Sequence, residues 1–277
     1  MKNFNTVIKS SLVALILSAS AASQAAIITY GGQAATDGSE LTSSLISADN
    51  LLDAADGFFI ETFDRATSMA GYGVGDDKYN YNVDAQNDGC LVNSAASALS
   101  ITTSSSQALG VTKGSYSGIA AAPAGDTTCY GFTPAPGGPR NSWVEMDHTA
   151  ILAIAGAGVY IDYLGFYWGS VDTYNSFEFF RDDQLVATLS GSDLLGANNG
   201  SSGNQIAPGS NQYVNIAFSA GEAFNRFRIT TSGIAGEFDN IVIGLDNRAT
   251  DIPEPQNLAI FALSLMMISF RSRRKAK

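Results

Sequence analysis

Residues 176–190 read SFEFFRDDQLVATLS, and their pattern decides the fold class. Phe177 and Phe179 alternate with Glu178 and Phe180, and Leu185, Ala187 and Leu189 repeat the two-residue period. Strand side chains point alternately to opposite faces, so this spacing predicts β-strands with one buried face. Arg181-Asp182-Asp183-Gln184 separates the two runs. A short polar break between alternating runs predicts a hairpin.

The same texture extends outward. WVEM (143–146), YIDYLGFYWGS (160–170), YVNIAFS (213–219), FNRFRITT (224–231) and EFDNIVIG (237–244) all read as strands. Near the start, IITY (27–30) and FFIETF (58–63) read as early strands. Between them, residues 40–55 predict a short helix with Leu41, Leu45 and Leu52 on one side. Residues 66–89 are rich in Gly, Asp, Asn and Tyr and predict turns. Residues 94–140 predict a long surface excursion, with a strand or two in ALSITTSSSQALGV (98–111). No fixed-period repeat and no long amphipathic helix interrupts this reading. Short strands with frequent turns predict an all-β fold, a β-sandwich or jelly roll, as one domain over residues 26–248.

Cys90 and Cys129 are the only cysteines. In an exported chain an even count predicts one disulfide, with two buried thiols as the alternative. With a single histidine, His148, the chain cannot supply a closed four-ligand zinc site of the usual kind.

Both ends carry targeting information. Lys2 and Lys9 precede an apolar run, Leu12–Leu17, and Ser23 and Ala25 fit a small-x-small cleavage site. Residues 1–25 therefore read as a signal peptide for the Sec translocon, cut before Ala26. Residues 249–277 form a three-part tail. Pro253-Glu254-Pro255 is extended, because proline restricts itself and the residue before it. Leu258–Phe270 is an apolar helix whose long side chains include Leu258, Phe261, Leu265 and Phe270. It spans about 20 Å, short for a membrane crossing. Arg271, Arg273, Arg274 and Lys275 then form a basic stop on the cytoplasmic side.

Without leader and tail, residues 26–253 keep eight basic and 25 acidic side chains, a net charge of −17. Such a body repels nucleic acid and anionic lipid headgroups.

The tail resembles the PEP-CTERM sorting signal of exported bacterial proteins. Gln256 and Asn257 stand where that family usually has small residues, and Met266 and Met267 where its helix is rich in Gly and Leu. The resemblance implies recognition of the Pro-Glu-Pro tripeptide by an exosortase, a membrane-embedded cysteine transpeptidase. It further implies transient anchoring in the inner membrane, then delivery to the cell surface or an extracellular polysaccharide matrix. Residues 160–244 resemble a recurring group of exosortase-dependent surface proteins, which gives location and no chemistry. EFDNIVIG also resembles the last strand of carbohydrate-binding jelly rolls, where an acid holds a structural calcium. That resemblance implies Asp239 as a calcium ligand, with Glu61 or Asp64 as its partner.

Catalytic signatures are missing. Gly114-Ser115-Tyr116-Ser117-Gly118 puts tyrosine where a serine hydrolase has its nucleophile. His148 beside Asp147 reads as a strand-end or loop histidine. Abundant acids single out no glycosidase pair. DDKYNYNVDAQNDG (76–89) is rich in oxygen ligands, but an EF-hand register from Asp84 puts Ala95 where a bidentate Glu belongs. It reads as a solvated loop. Trp168, flanked by Gly169, is the candidate sugar-stacking residue, with Tyr167 beside it. The expectation is a non-catalytic surface or matrix protein, structural or polysaccharide-associated. A carbohydrate-binding module with calcium is the alternative, a secreted glycosidase a lesser one.

Overall fold

The computed structural model describes residues 26–50, 57–64, 90 and 99–247, with the short strands 52–53, 68–70 and 73–74. The leader, the acidic loop 76–89 and the tail lie outside these residues. The chain divides after Asn247 into a body and a C-terminal unit, Arg248–Lys277.

Strands follow the chain as β1 (Ile27–Tyr30), β2 (Gln33–Ala34), β3 (Leu41–Thr42), β4 (Leu52–Asp53), β5 (Phe58–Glu61), β6 (Ser68–Ala70), β7 (Gly73–Val74), β8 (Ser100–Thr103) and β9 (Gly110–Lys113). They continue as β10 (Cys129–Thr133), β11 (Ser142–Asp147), β12 (Ile161–Gly169), β13 (Asn175–Arg181), β14 (Gln184–Ser190), β15 (Gln212–Ala217), β16 (Arg226–Thr231) and β17 (Gly236–Leu245).

The body is mostly antiparallel β-sheet. A seven-stranded sheet has the order β1-β15-β12-β17-β10-β9, with β5 also paired to β17. A five-stranded sheet has the order β14-β13-β16-β11-β8. One apolar core draws side chains from both. Phe166 of β12 stacks on Phe177 of β13 with ring centroids 4.1 Å apart. Phe179 and Phe227 extend the same cluster. Each such ring contributes about 1.5–3 kcal/mol by leaving water.

The hairpin at 176–190 forms as its pattern predicts. Arg181 pairs with Gln184 across a two-residue turn, and Asp182 takes a left-handed φ of 52°, which a short polar side chain tolerates. Phe177 and Phe179 are buried while Glu178 and Phe180 are not. The period fails at Leu185, which is 50% exposed. A register shift between Phe179 and Phe180 sets Leu185 opposite outward-facing Phe180.

Two expectations change. Residues 40–50 hold β3 and turns instead of a helix, and Leu45 is exposed. Serine, threonine and asparagine there bond locally and across the chain, an alternative to helical pairing. Thr42 Oγ1 donates to Asn50 Oδ1 at 2.6 Å, and Asn50 Nδ2 donates to Asp37 Oδ2 at 2.7 Å. Nor is 94–140 an excursion: β10 is buried along its length and pairs with β9 and β17. Among the described residues two unforeseen helices occur, Thr149–Ala155 and Gly191–Asn198. The second opens with a capping box, in which Ser190 Oγ accepts from Asp193 N and Asp193 accepts from Ser190 N.

Cys90 and Cys129 form the expected disulfide, with Cα atoms 5.5 Å apart. Closing a loop of 39 residues stabilises the fold by about 4 kcal/mol on the chain-entropy account.

Candidate functional site

The aromatic pair does not form a sugar platform. Trp168 is 1% exposed and packs on Phe166 and Phe177, with centroids 5.6 and 5.0 Å away. Its strand end gives no access, because β15 and β17 flank β12 and the five-stranded sheet covers the indole. Tyr167 points to the opposite face and is buried there, its hydroxyl donating to Ala124 O at 2.6 Å.

A different site arises in β17. One edge of β17 carries β12 along most of its length. The other edge carries β10 opposite Gly236–Phe238 and β5 opposite Ile241–Gly244. Asp239 and Asn240 fall in the gap between those partners. An extra β17 residue there makes a bulge against β12, and Asn240 has a φ of 46°. Bulges aim side chains out of the regular pleat. Asn240 is tied down: its Nδ2 donates to Ser39 Oγ at 2.7 Å and Leu41 O at 2.8 Å.

Asp239 is fully buried and lies among acids from separate segments. Asp126 arrives from the β9–β10 connection, Asp64 from the turn after β5 and Asp37 from the β2–β3 connection. The partners of these carboxylates differ. Asp37 accepts from Ser39 N, Ser39 Oγ and Asn50 Nδ2. Asp64 Oδ1 accepts from Cys129 N at 3.2 Å. Asp126 Oδ1 accepts from Thr128 N and Oγ1 at 2.7 and 2.8 Å, while its Oδ2 has no partner. Neither carboxylate oxygen of Asp239 has one.

Burial, with repulsion from neighbouring carboxylates, raises Asp64, Asp126 and Asp239. Asp239 is pushed well above the carboxylate range, first by burial and then by Asp126. Asp126 and Asp64 rise to about 6, mainly by burial, with smaller upward contributions from neighbouring aspartates. Glu237, two residues before Asp239 on the same strand, rises to about 8, mainly by burial. Its Oε2 accepts from Ser170 Oγ at 2.9 Å and its Oε1 from Ala121 N at 3.1 Å.

The fold sets Asp64 near enough to Asp239 to raise it, while Glu61 faces elsewhere. Glu61 lines a small interior pocket with Phe59, Met146 and His148, on the core side of its sheet, and its Oε1 accepts from Phe63 N. Period two explains the split: β5 turns Phe59 and Glu61 to the same face. Asp126 was missed. Only the pairing of β10 with β17 delivers it, and no local pattern in residues 123–128 signals that.

Two outcomes satisfy orphaned, buried carboxylate oxygens: a shared proton or a cation. Among the described residues no three His, Cys, Asp or Glu side chains stand in metal-holding geometry. That disfavours a cage made of side chains alone. Among family models, curated proteins and solved structures, none matches this chain.

Proposed function

We propose that the chain is an exported bacterial surface or extracellular-matrix protein, sorted by an exosortase through Pro253-Glu254-Pro255. The Sec translocon moves it across the inner membrane, and the apolar segment Leu258–Phe270 holds it there until processing. Its body, in this reading a sandwich of jelly-roll type, serves the envelope or matrix as a structural or polysaccharide-associated component without turnover. The observation that carries the reading is the order of the tail: extended tripeptide, apolar run, basic cluster. The disulfide accords with an oxidising location.

Intact mass of the product made in an exosortase-bearing host tests this. The wild type loses residues 1–25 and the tail. A variant with Pro253→Ala, Glu254→Ala and Pro255→Ala keeps the tail and stays with the membrane fraction. A wild type that keeps its tail beside an active exosortase overturns the reading and makes the segment a plain anchor.

Calcium belongs to the same proposal. Asp126 and Asp239 hold it, with Asp64 contributing negative charge nearby, and the bound ion neutralises carboxylates that otherwise take up protons. Millimolar calcium then raises the thermal midpoint at pH 8 in the wild type and much less in Asp239→Asn. Equal midpoints in calcium and in chelator would leave the acids proton-linked.

A further inference from the structure

Several connections meet at one end of the two sheets: β9–β10 (Ser115–Ala121), β10–β11 (Arg140), β12–β13 (Ser170–Tyr174), β14–β15 (Gly203–Gln205) and β16–β17 (Ser232–Ala235). They enclose a cleft of about 830 Å³, with Glu237 also in its wall. Loops held by a rigid scaffold are where folds of this kind place recognition.

Tight packing and hydrogen bonds hold the cleft walls. The Tyr174 hydroxyl lies 2.6 Å from Asp172 Oδ2 and 2.7 Å from Ile234 O. Ser202 Oγ donates to Asp172 Oδ1 at 2.6 Å. Gly233 packs so closely on the Tyr174 ring that a Cβ would lie 2.3 Å from it, so no larger residue fits there. Asn175 Nδ2 donates to Ala235 O at 3.2 Å from below. One strong donor is left over: Arg140 is exposed on the rim, and its guanidinium has no partner among the described residues. Arg181, Arg226 and Arg228 are all engaged elsewhere.

We propose that this cleft binds a short, uncharged oligosaccharide. Its volume exceeds a single sugar ring and lies within the range of ligand sites. The wall offers hydroxyls, a donor-only guanidinium and a carboxylate with spare lone pairs, a mixture that matches vicinal hydroxyls, which both donate and accept. Half-buried Tyr116 and Tyr174 supply ring surface for sugar C–H faces. An apolar ligand would leave this polar wall unsatisfied. A polyanion meets Asp172 and a body of strongly negative charge. The inference rests on the polysaccharide-associated reading above and gives it a place, which Trp168 does not.

The test is calorimetric titration of the secreted protein with neutral oligosaccharides (glucan, galactan, mannan, xylan) and, separately, with uronate oligosaccharides. Saturable binding is expected to a neutral series. Arg140→Ala and Tyr116→Ala should each weaken it by about tenfold, with thermal midpoints unchanged. Trp143→Ala, on the outer face of β11, should bind as the wild type does. No binding to any neutral series, binding to uronates alone, or neutral binding indifferent to Arg140→Ala and Tyr116→Ala would each overturn the proposal. Tail removal is read by mass and cleft binding by heat, so either can fail without the other.

Discussion

Burial gives Trp168 and His148 roles that their sequence neighbourhoods do not reveal. Trp168 reads as a strand-end aromatic beside a glycine, yet it is a keystone of the core. Chain position cannot say which strand becomes central, because that depends on pairing between segments far apart. Trp168→Ala should lower unfolding free energy by about 3–5 kcal/mol, measurable by urea denaturation, and a loss below about 1 kcal/mol would contradict its packing. His148 is buried, its Nδ1 has no partner among the described residues, and its ring stacks on Phe227 at 5.7 Å. Burial lowers its pKa to about 4. The folded state therefore favours neutral imidazole, while the unfolded chain takes up a proton near 6.5. Stability from this group is complete above 6.5 and falls as pH drops toward 4, by about 1.4 kcal/mol per pH unit while it titrates. His148→Gln should flatten that loss relative to the wild type in acid-denaturation curves, and superimposable curves would refute it.

Strands were more legible than single side chains. Phe177 and Phe179 announce β13 because an exposed neighbour separates them, and period two survives translation into structure wherever one face is wet. It failed at Leu185, where a bulge invisible in composition reverses the inward face. Residues 40–55 suggested a helix by leucine spacing alone, and their side-chain hydrogen bonding carried more weight than that spacing. The helix Gly191–Asn198 was readable from its cap, since Ser190 and Asp193 hold the spacing of a capping box. Ser190→Ala should cost about 1 kcal/mol in chemical denaturation. A neutral result would mean the short helix is held by Leu194 and Leu195 in the core. The acidic site lay between these extremes: the resemblance of EFDNIVIG pointed to Asp239, with Glu61 or Asp64 as its partner, whereas Asp126 joins the group only through the third dimension.

At the scale of the molecule, the buried acids set a pH response opposite to that of His148. Their folded pKa values are raised, so the folded state binds protons more tightly than the unfolded chain. The stability they contribute is complete below about 4, and falls as pH rises through about 6 for Asp64 and Asp126 and about 8 for Glu237. In chelator the protein should therefore melt at a lower temperature at pH 8.5 than at pH 5.5. Added calcium should close much of that gap by replacing the lost protons. Calorimetric scans at both pH values check this; an unchanged midpoint in chelator would mean that the acids are relieved by solvent when ionised.

The disulfide has a consequence for timing. Cys129 is joined to Cys90, and its amide also holds Asp64 beside the orphaned acids. In a reducing compartment the thiols remain apart, and at the sub-micromolar calcium usual there the acids go without a counter-ion. Under the export and calcium binding proposed above, the covalent tie from Cys90 to Cys129 and the ion held at Asp126 and Asp239 would both form outside the cell, so two separate locks would close only after passage and not before.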